Sequence, residues 1–515
     1  MTPFARLVAS TWAAALPVAT PALAVTGDEV LQTVCSTCHV TNADGSLERI
    51  DSVRKTPEAW DMTVQRMMRN HAVVLTPEQR TAVVRTLADT RGLSVAETRG
   101  WRYVLDREPV SEDAGPTQLM TETCGRCHSF ARVALQRRTA DDWAHLVNFH
   151  LGQFPTLEYQ ALARDRDWWG IAQSEIIPYL AEHYPLGDRP ARVSGDLAGR
   201  YVVAGHQPGR GSYHGTLDLA ADAGGHAVTM TLDFPDGQEI WQGTGVVYGA
   251  GEWRATLKNG DRTIRQVMAL EGEALSGRWF LDGEDVTGGR IEALRETAAP
   301  RILSVAPSAI RAGATTEVRL TGVGLSGAPV LPEGVQGKVL SASATEVVLA
   351  LTTPATPGVG GIGVGPLTAP EKLVVYDRLD RLTVVPEVEI SRIGGNGGPI
   401  PKVPAQFEAV GWLNGPDAAP ATDDDIRVGV VPAEWRVAAW SEAAAEAEDV
   451  KYAGSIDQTG RFTPAGAGPN PARVMGTNNV GDLKVLASIP QEGGPLTAEA
   501  HLYATVQRFV DAAIR

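Results

Sequence analysis

Apolar positions follow three different rhythms along the chain. Behind Arg6, Leu7 to Ala19 form a short apolar run, and Ala22-Leu23-Ala24 follows it. One basic residue, an apolar stretch and an A-x-A site in that order predict a cleaved secretory signal peptide over residues 1–24. The run is shorter than the ~20 apolar residues that span a bilayer, and no later segment reaches that length. The expectation is export to a bacterial periplasm without a membrane span.

From residue 25 to about 192 the spacing is helical. Thr56-Pro57 opens a segment in which Trp60, Val64, Met67, Met68 and His71 form one stripe; Thr139 opens another with Trp143, Leu146, Val147 and His150. Thr suits the N-cap and Pro the first helical position. Both stripes place Trp four residues after Thr and a haem-ligating residue type seven after Trp, which is two helical turns. His145 falls about 200° from Trp143 at helical pitch, off that face. Each stripe is followed by another helix: Thr76-Pro77-Glu78-Gln79 is a capping box before Val83, Val84 and Leu87, and Ile176 to Glu182 is its counterpart. About ten extra residues in the second copy fall around Arg164 to Gly170, where Trp168 and Trp169 suit a cofactor edge or plain core. The region reads as a duplicated helical domain.

Beyond Asp196 the period drops to two. Runs such as Val228-Thr229-Met230-Thr231-Leu232 alternate with Gly, Asn and Pro turns, and Asn259-Gly260 predicts a type I′ hairpin. Residues 193–298 are expected to form an antiparallel β-barrel. Residues 299–386, with Val318-Arg319-Leu320-Thr321-Gly322, suggest an Ig-like sandwich of IPT/TIG type. Residues 387–515 suggest a second Ig-like unit ending in an amphipathic helix from Leu496, with Val506, Phe509 and Ile514 on its face. The expected fold class is therefore multidomain α plus all-β.

Composition narrows the function. The chain has 515 residues and a formal net charge of -15, which disfavours a nucleic-acid role that needs clustered positive charge. His206, His214 and His226 lack short ligand spacing and read as solvated or structural; Asp423-Asp424-Asp425 reads as a solvated turn rather than a calcium loop.

The four cysteines change the picture most. They stand as Cys35-Ser-Thr-Cys38-His39 and Cys124-Gly-Arg-Cys127-His128, two copies of the C-x-x-C-H attachment motif for haem c. Two thiols add to the porphyrin vinyl groups, and the adjoining His becomes the proximal iron ligand. A four-thiolate zinc site would not require His after each pair. The helical register nominates Met67 and His150 as sixth ligands, with Met68 and His71 competing with Met67. A thioether raises the iron potential, so a His39/Met67 haem should lie above a His128/His150 haem.

This layout, with Trp-x6-Met and Trp-x6-His helices beside the two motifs and one barrel and two Ig-like units behind them, resembles the α (dihaem cytochrome c) subunit of quinohaemoprotein amine dehydrogenases over essentially the whole mature chain. The resemblance implies a heterotrimer with a propeller β subunit and a small γ subunit bearing cysteine tryptophylquinone, which oxidises primary amines. It further implies electron delivery through two covalent haem c groups to a soluble cytochrome c or blue-copper protein. All four thiols here are committed to haem, so the amine-oxidising site is expected on another chain. Two other classes are consistent with the motifs: a dihaem cytochrome c peroxidase-like enzyme, and an Ig-domain binding protein with redox-sensing haems.

Overall fold

The computed structural model describes residues 25–108, 114–153, 166–194, 196–396 and 400–507; the expected signal peptide, Arg164, Asp165, Phe509 and Ile514 lie outside them. The helical part repeats one local plan. α1 (Gly27–Thr33), capped by Thr26, leads into a 3₁₀ turn at Cys35–Thr37. After β1 (Val53–Lys55) come α2 (Pro57–Asn70) and α3 (Pro77–Thr90), capped by Thr56 and by the Thr76/Gln79 capping box as expected. A short α4 (Val95–Thr98) links the copies. The second copy runs through α5 (Gln118–Glu122), a 3₁₀ turn at Cys124–Arg126, α6 (Ala131–Ala134), β2 (Gln136–Arg138) and α7 (Ala140–Gln153). α8 (Trp168–Ile171), a π-helical turn at Ala172–Ile176 and α9 (Ile177–His183) complete it.

The copies share tertiary logic as well as order. Trp60 Nε1–H donates to the carbonyl of Arg91, the C-cap of α3, at 3.0 Å. Trp143 Nε1–H donates to the carbonyl of Tyr184, the C-cap of α9, at 2.9 Å. Both indoles are fully buried, so each docks a helix end while satisfying a carbonyl that the helix leaves unpaired.

β1 and β2 join the copies and add a short ribbon to the expected helical domain. They pair antiparallel with Val53 opposite Arg138, Arg54 opposite Arg137 and Lys55 opposite Gln136. Arg54 and Arg137 each stand two residues before the capping Thr of their copy, so each faces its own counterpart across a local twofold axis. Glu97 of α4 sits on both: Arg54 donates to its two carboxylate oxygens at 3.0 and 2.7 Å, and Arg137 Nε lies 3.3 Å from Oε1. The helical period gave no sign of this ribbon because each strand has only three residues.

Eight further strands, β3 (Gly199–Gln207), β4 (Gly211–Asp222), β5 (Gly225–Phe234), β6 (Gly237–Tyr248), β7 (Glu252–Asn259), β8 (Arg262–Glu271), β9 (Ala274–Leu281) and β10 (Glu284–Arg295), pair in sequence order, and β10 closes on β3. Trp241, Trp253, Trp279, Met230, Leu257 and Met268 fill the interior, so this small barrel is a packed core. The β7–β8 turn sits one residue later than expected: Asn259 still pairs with Arg262, and Gly260 takes φ +58°. His206 and His214 are structural, bonding to Glu408 and to Arg319 beyond the barrel, and His226 lies against Trp253.

Residues 301–376 form two four-stranded sheets around Val318, Leu320, Leu349, Ile362 and Leu373. Residues 381–505 form sheets around Phe407, Phe462, Leu483, Val485 and Leu502. The expected terminal helix is not formed at its start: Leu496–Thr505 is a strand paired with Gly481–Ile489. Its buried Ala500, Leu502 and Ala504 recur every second residue, the period of a strand. Asp424 and Asp425 are held within their turn, by Thr422 and by Arg381.

Candidate functional site

In each copy a short helix ends two residues before the first cysteine, with Val34 or Thr123 as C-cap, and the motif itself turns as a 3₁₀ helix. The backbone N–H of His39 donates to the Cys35 carbonyl at 3.0 Å, closing a turn across the motif. The four cysteines form no disulfide. Burial, with Cys38 beside it, raises the Cys35 pKa, and burial pushes Cys124 up to about 11. Cys35 and Cys124 are half-buried, whereas Cys38 and Cys127 are exposed.

Three histidine rings are oriented by main-chain carbonyls through Nδ1. The partners are Glu48 for His39 at 3.0 Å, Ser129 for His128 at 3.0 Å, and Leu146 for His150 at 2.8 Å. A proton held on Nδ1 in this way leaves Nε2 as the metal-ligating nitrogen and fixes the ring's plane.

The second motif opens on a cavity of about 460 Å³, within the ~300–1,000 Å³ range of cofactor sites. Cys124, Cys127 and His128 form one part of its wall, and Leu146, Val147 and His150 of α7 another. Trp168 and Trp169 also line it, so the paired indoles flank the cavity rather than filling a core. His145 is exposed, in keeping with its position off the stripe. Burial lowers the His150 pKa, against the pull of the Leu146 carbonyl, keeping the ring in the neutral form a metal requires.

Around the first motif, Val34, Cys35 and Met68 pack against a cluster containing Val30, Leu31, Trp60 and Val64. Met67 is half-buried, and His71 is exposed at the C-cap of α2. At helical pitch Met67 lies about 20° from Trp60 and Met68 about 80°. Both therefore border the face that carries Trp60, and it is Met68 that joins the cluster with Cys35.

Several site residues escaped the sequence reading. Lys55, Arg66, Arg132 and Arg138 also line the cavity. Lys55 is 6% exposed, donates to Thr63 Oγ1 at 2.9 Å and lies over the Trp60 ring. Burial, and then the nearby Arg138 and Arg66, push its pKa well down, while Asp142 opposes the shift. Arg138 is paired with Asp142. One signal was available: Lys55 and Arg138 each immediately precede the capping Thr of their copy.

The donor set and cavity suit a large, flat, metal-bearing cofactor, and comparison with known families supplies its class. Residues 25–190 match the family model described as "Quinohemoprotein amine dehydrogenase A, alpha subunit, haem binding". The helical region is thus a haem-binding domain of a redox protein. Models for domains II, III and IV of the same alpha subunit match residues 194–296, 299–377 and 382–514. The chain belongs to the family of quinohemoprotein amine dehydrogenase alpha subunits, components of a multi-subunit amine-oxidising oxidoreductase.

A search of the curated proteins found no match. Among solved structures, mouse clustered PcdhgC3 EC1-3 is 14% identical, with 50% of this chain and 86% of that chain covered, at a TM-score of 0.17. The Bacteroides ovatus mixed-linkage glucan utilization locus protein SGBP-B is 10% identical, with 62% and 69% covered, at a TM-score of 0.20. Likeness at that level carries no argument. Among the described residues, no helix is long and apolar enough to cross a membrane.

Proposed function

We propose that this chain is the dihaem c electron-transfer subunit of a periplasmic amine dehydrogenase complex, exported through a signal peptide at 1–24. The proposed domains are 25–192 for the dihaem unit, 193–298 for the barrel, and 299–386 and 387–515 for two Ig-like units. Cys35, Cys38 and His39 would hold one haem, with Met67 as sixth ligand and Met68 as its competitor. Cys124, Cys127, His128 and His150 would hold the other. Bound there, the pair supplies one-electron carriers between a two-electron quinone on a partner γ subunit and a soluble cytochrome c or blue-copper acceptor.

The observation that carries the reading is the cavity at which both thiols of one motif, its His128 and the oriented His150 converge. Family membership joins that geometry to amine oxidation. Main-chain carbonyls of Glu48, Ser129 and Leu146 fix ring orientation through Nδ1, and Trp168 and Trp169 line the cavity. Commitment of every thiol to haem attachment supports a cysteine tryptophylquinone on another chain. Rapid mixing of the purified complex with a panel of primary amines tests the reading. Haem absorption bands should develop their reduced form without added mediator; haems that stay oxidised with every amine would overturn it.

A further inference from the structure

α2 has two working faces. Trp60, Val64 and Met68 turn toward the cluster that includes Cys35, whereas Ala59, Met62, Thr63 and Arg66 line the cavity of the second motif. The helix therefore stands between the two C-x-x-C-H sites. Its cavity-facing side, with β1 before it, brings cations from the first copy into the site of the second.

Among the described residues Lys55, Arg66 and Arg132 have no carboxylate ion pair, although all three line the cavity. Lys55 has a hydroxyl and an aromatic face as partners, and Arg66 has the Phe149 ring. The neighbouring carboxylates are engaged elsewhere: Asp142 with Arg138, Glu122 with Arg166, and Glu58 with Arg254. Three cations converging on one cavity, none of them ion-paired among the described residues, would repel one another and lose solvation unless the occupant is itself anionic. A porphyrin with two propionates meets that need, and guanidinium groups match carboxylate geometry.

We propose that Lys55, Arg66 and Arg132 form the propionate cradle of the haem attached at Cys124 and Cys127, with Lys55 and Arg66 contributed across the pseudo-twofold axis by the other copy. This rests on the haem assignment above. It makes α2 a bridge, because Arg66 on the second haem's carboxylates is adjacent in sequence to Met67, the candidate ligand of the first. The three residues are positioning groups: they anchor the macrocycle and favour its reduced, more negative state.

Spectroelectrochemical titration of the complex tests the cradle in Lys55→Gln, Arg66→Gln and Arg132→Gln variants. Each should make reduction of the second haem about tenfold less favourable, a fall of about 59 mV for a one-electron couple. Arg66→Lys should retain most of the native potential. Potentials of the second haem unchanged in all three neutral variants would overturn the cradle. Should those variants not assemble, Arg66→Lys and Arg132→Lys keep the charge. Resonance Raman should then show a shifted propionate bending mode, and an unshifted mode in both counts against the proposal. Mass spectrometry of the wild-type peptide carrying Cys124 and Cys127 separates the two failures. A peptide without haem defeats the haem assignment itself, whereas a haem-bearing peptide with unmoved potentials defeats only the cradle.

Discussion

A single indole anchors each copy of the haem-binding domain. Trp60 and Trp143 bury their rings and spend their one donor on the last carbonyl of the neighbouring helix. Replacing either by Phe removes one of the two hydrogen bonds that carbonyl accepts, the other coming from Lys55 N–H or Arg138 N–H, a loss of about 0.5–1.5 kcal/mol. Thermal unfolding should register it as a lower Tm for both variants; an unchanged Tm would show the bond to be dispensable. The sixth ligand of the first haem is also a question for single side chains. Met67→His should lower one haem potential and abolish the thioether-to-iron absorption band, while Met68→Leu leaves the band in place. The reverse pattern would assign the ligand to Met68, which packs with Cys35. Spacing alone identified Cys35, Cys38, His39, Cys124, Cys127, His128 and His150 as candidates because attachment chemistry imposes its own local signature. The cavity cations had no such signature: what marks Lys55, Arg66 and Arg132 is convergence in space from three different segments.

Among elements, the β1–β2 ribbon and α4 hold the duplication together. Burial opposes ionisation of Glu97, yet hydrogen bonds from Arg54 and the Ser94 backbone, with the charges of Arg54 and Arg137, keep its pKa below the usual range. A folded-state pKa below the unfolded value of about 4.3 contributes stability that is complete above that value and lost as pH falls through the folded one. Glu97→Gln should therefore be less stable at pH 7 and show a shallower loss of stability on acidification below about pH 5. Denaturant midpoints measured across that range check it; parallel pH profiles for the two proteins would contradict it. Helices with caps and a 3.6-residue stripe, and strands with strict alternation, were legible as elements. A three-residue strand carries too few residues for any period, and Leu496–Thr505 mixes a strand's alternation with apolar residues further on that suggested a helix.

At the scale of the whole molecule, the haem-binding domain is bonded to the barrel through charge rather than only apolar contact. Arg254 of β7 pairs with Glu58 of α2 and with Glu252, which also receives Arg102. Arg254→Met would leave Glu58 without its partner while Glu252 keeps Arg102, at a cost of about 1–3 kcal/mol. Denaturant unfolding should then separate haem-band loss from loss of barrel structure; a single transition at the native midpoint would contradict this. The order of helical, barrel and sheet regions was readable from hydrophobic period, since each has its own. How the regions face one another was not, because pairs such as Glu58 with Arg254 join residues far apart in the chain.

The proposed function rests on a division of labour, with haem on this chain and the amine-oxidising quinone on another. Native purification of the complex, followed by a denaturing gel stained for haem and, in parallel, for redox-cycling quinone, tests it most directly. Haem stain is expected on this chain and quinone stain on a separate, smaller co-purifying chain. Quinone stain on this chain, or its isolation as a haem-bearing monomer with no quinone-staining partner, would contradict it.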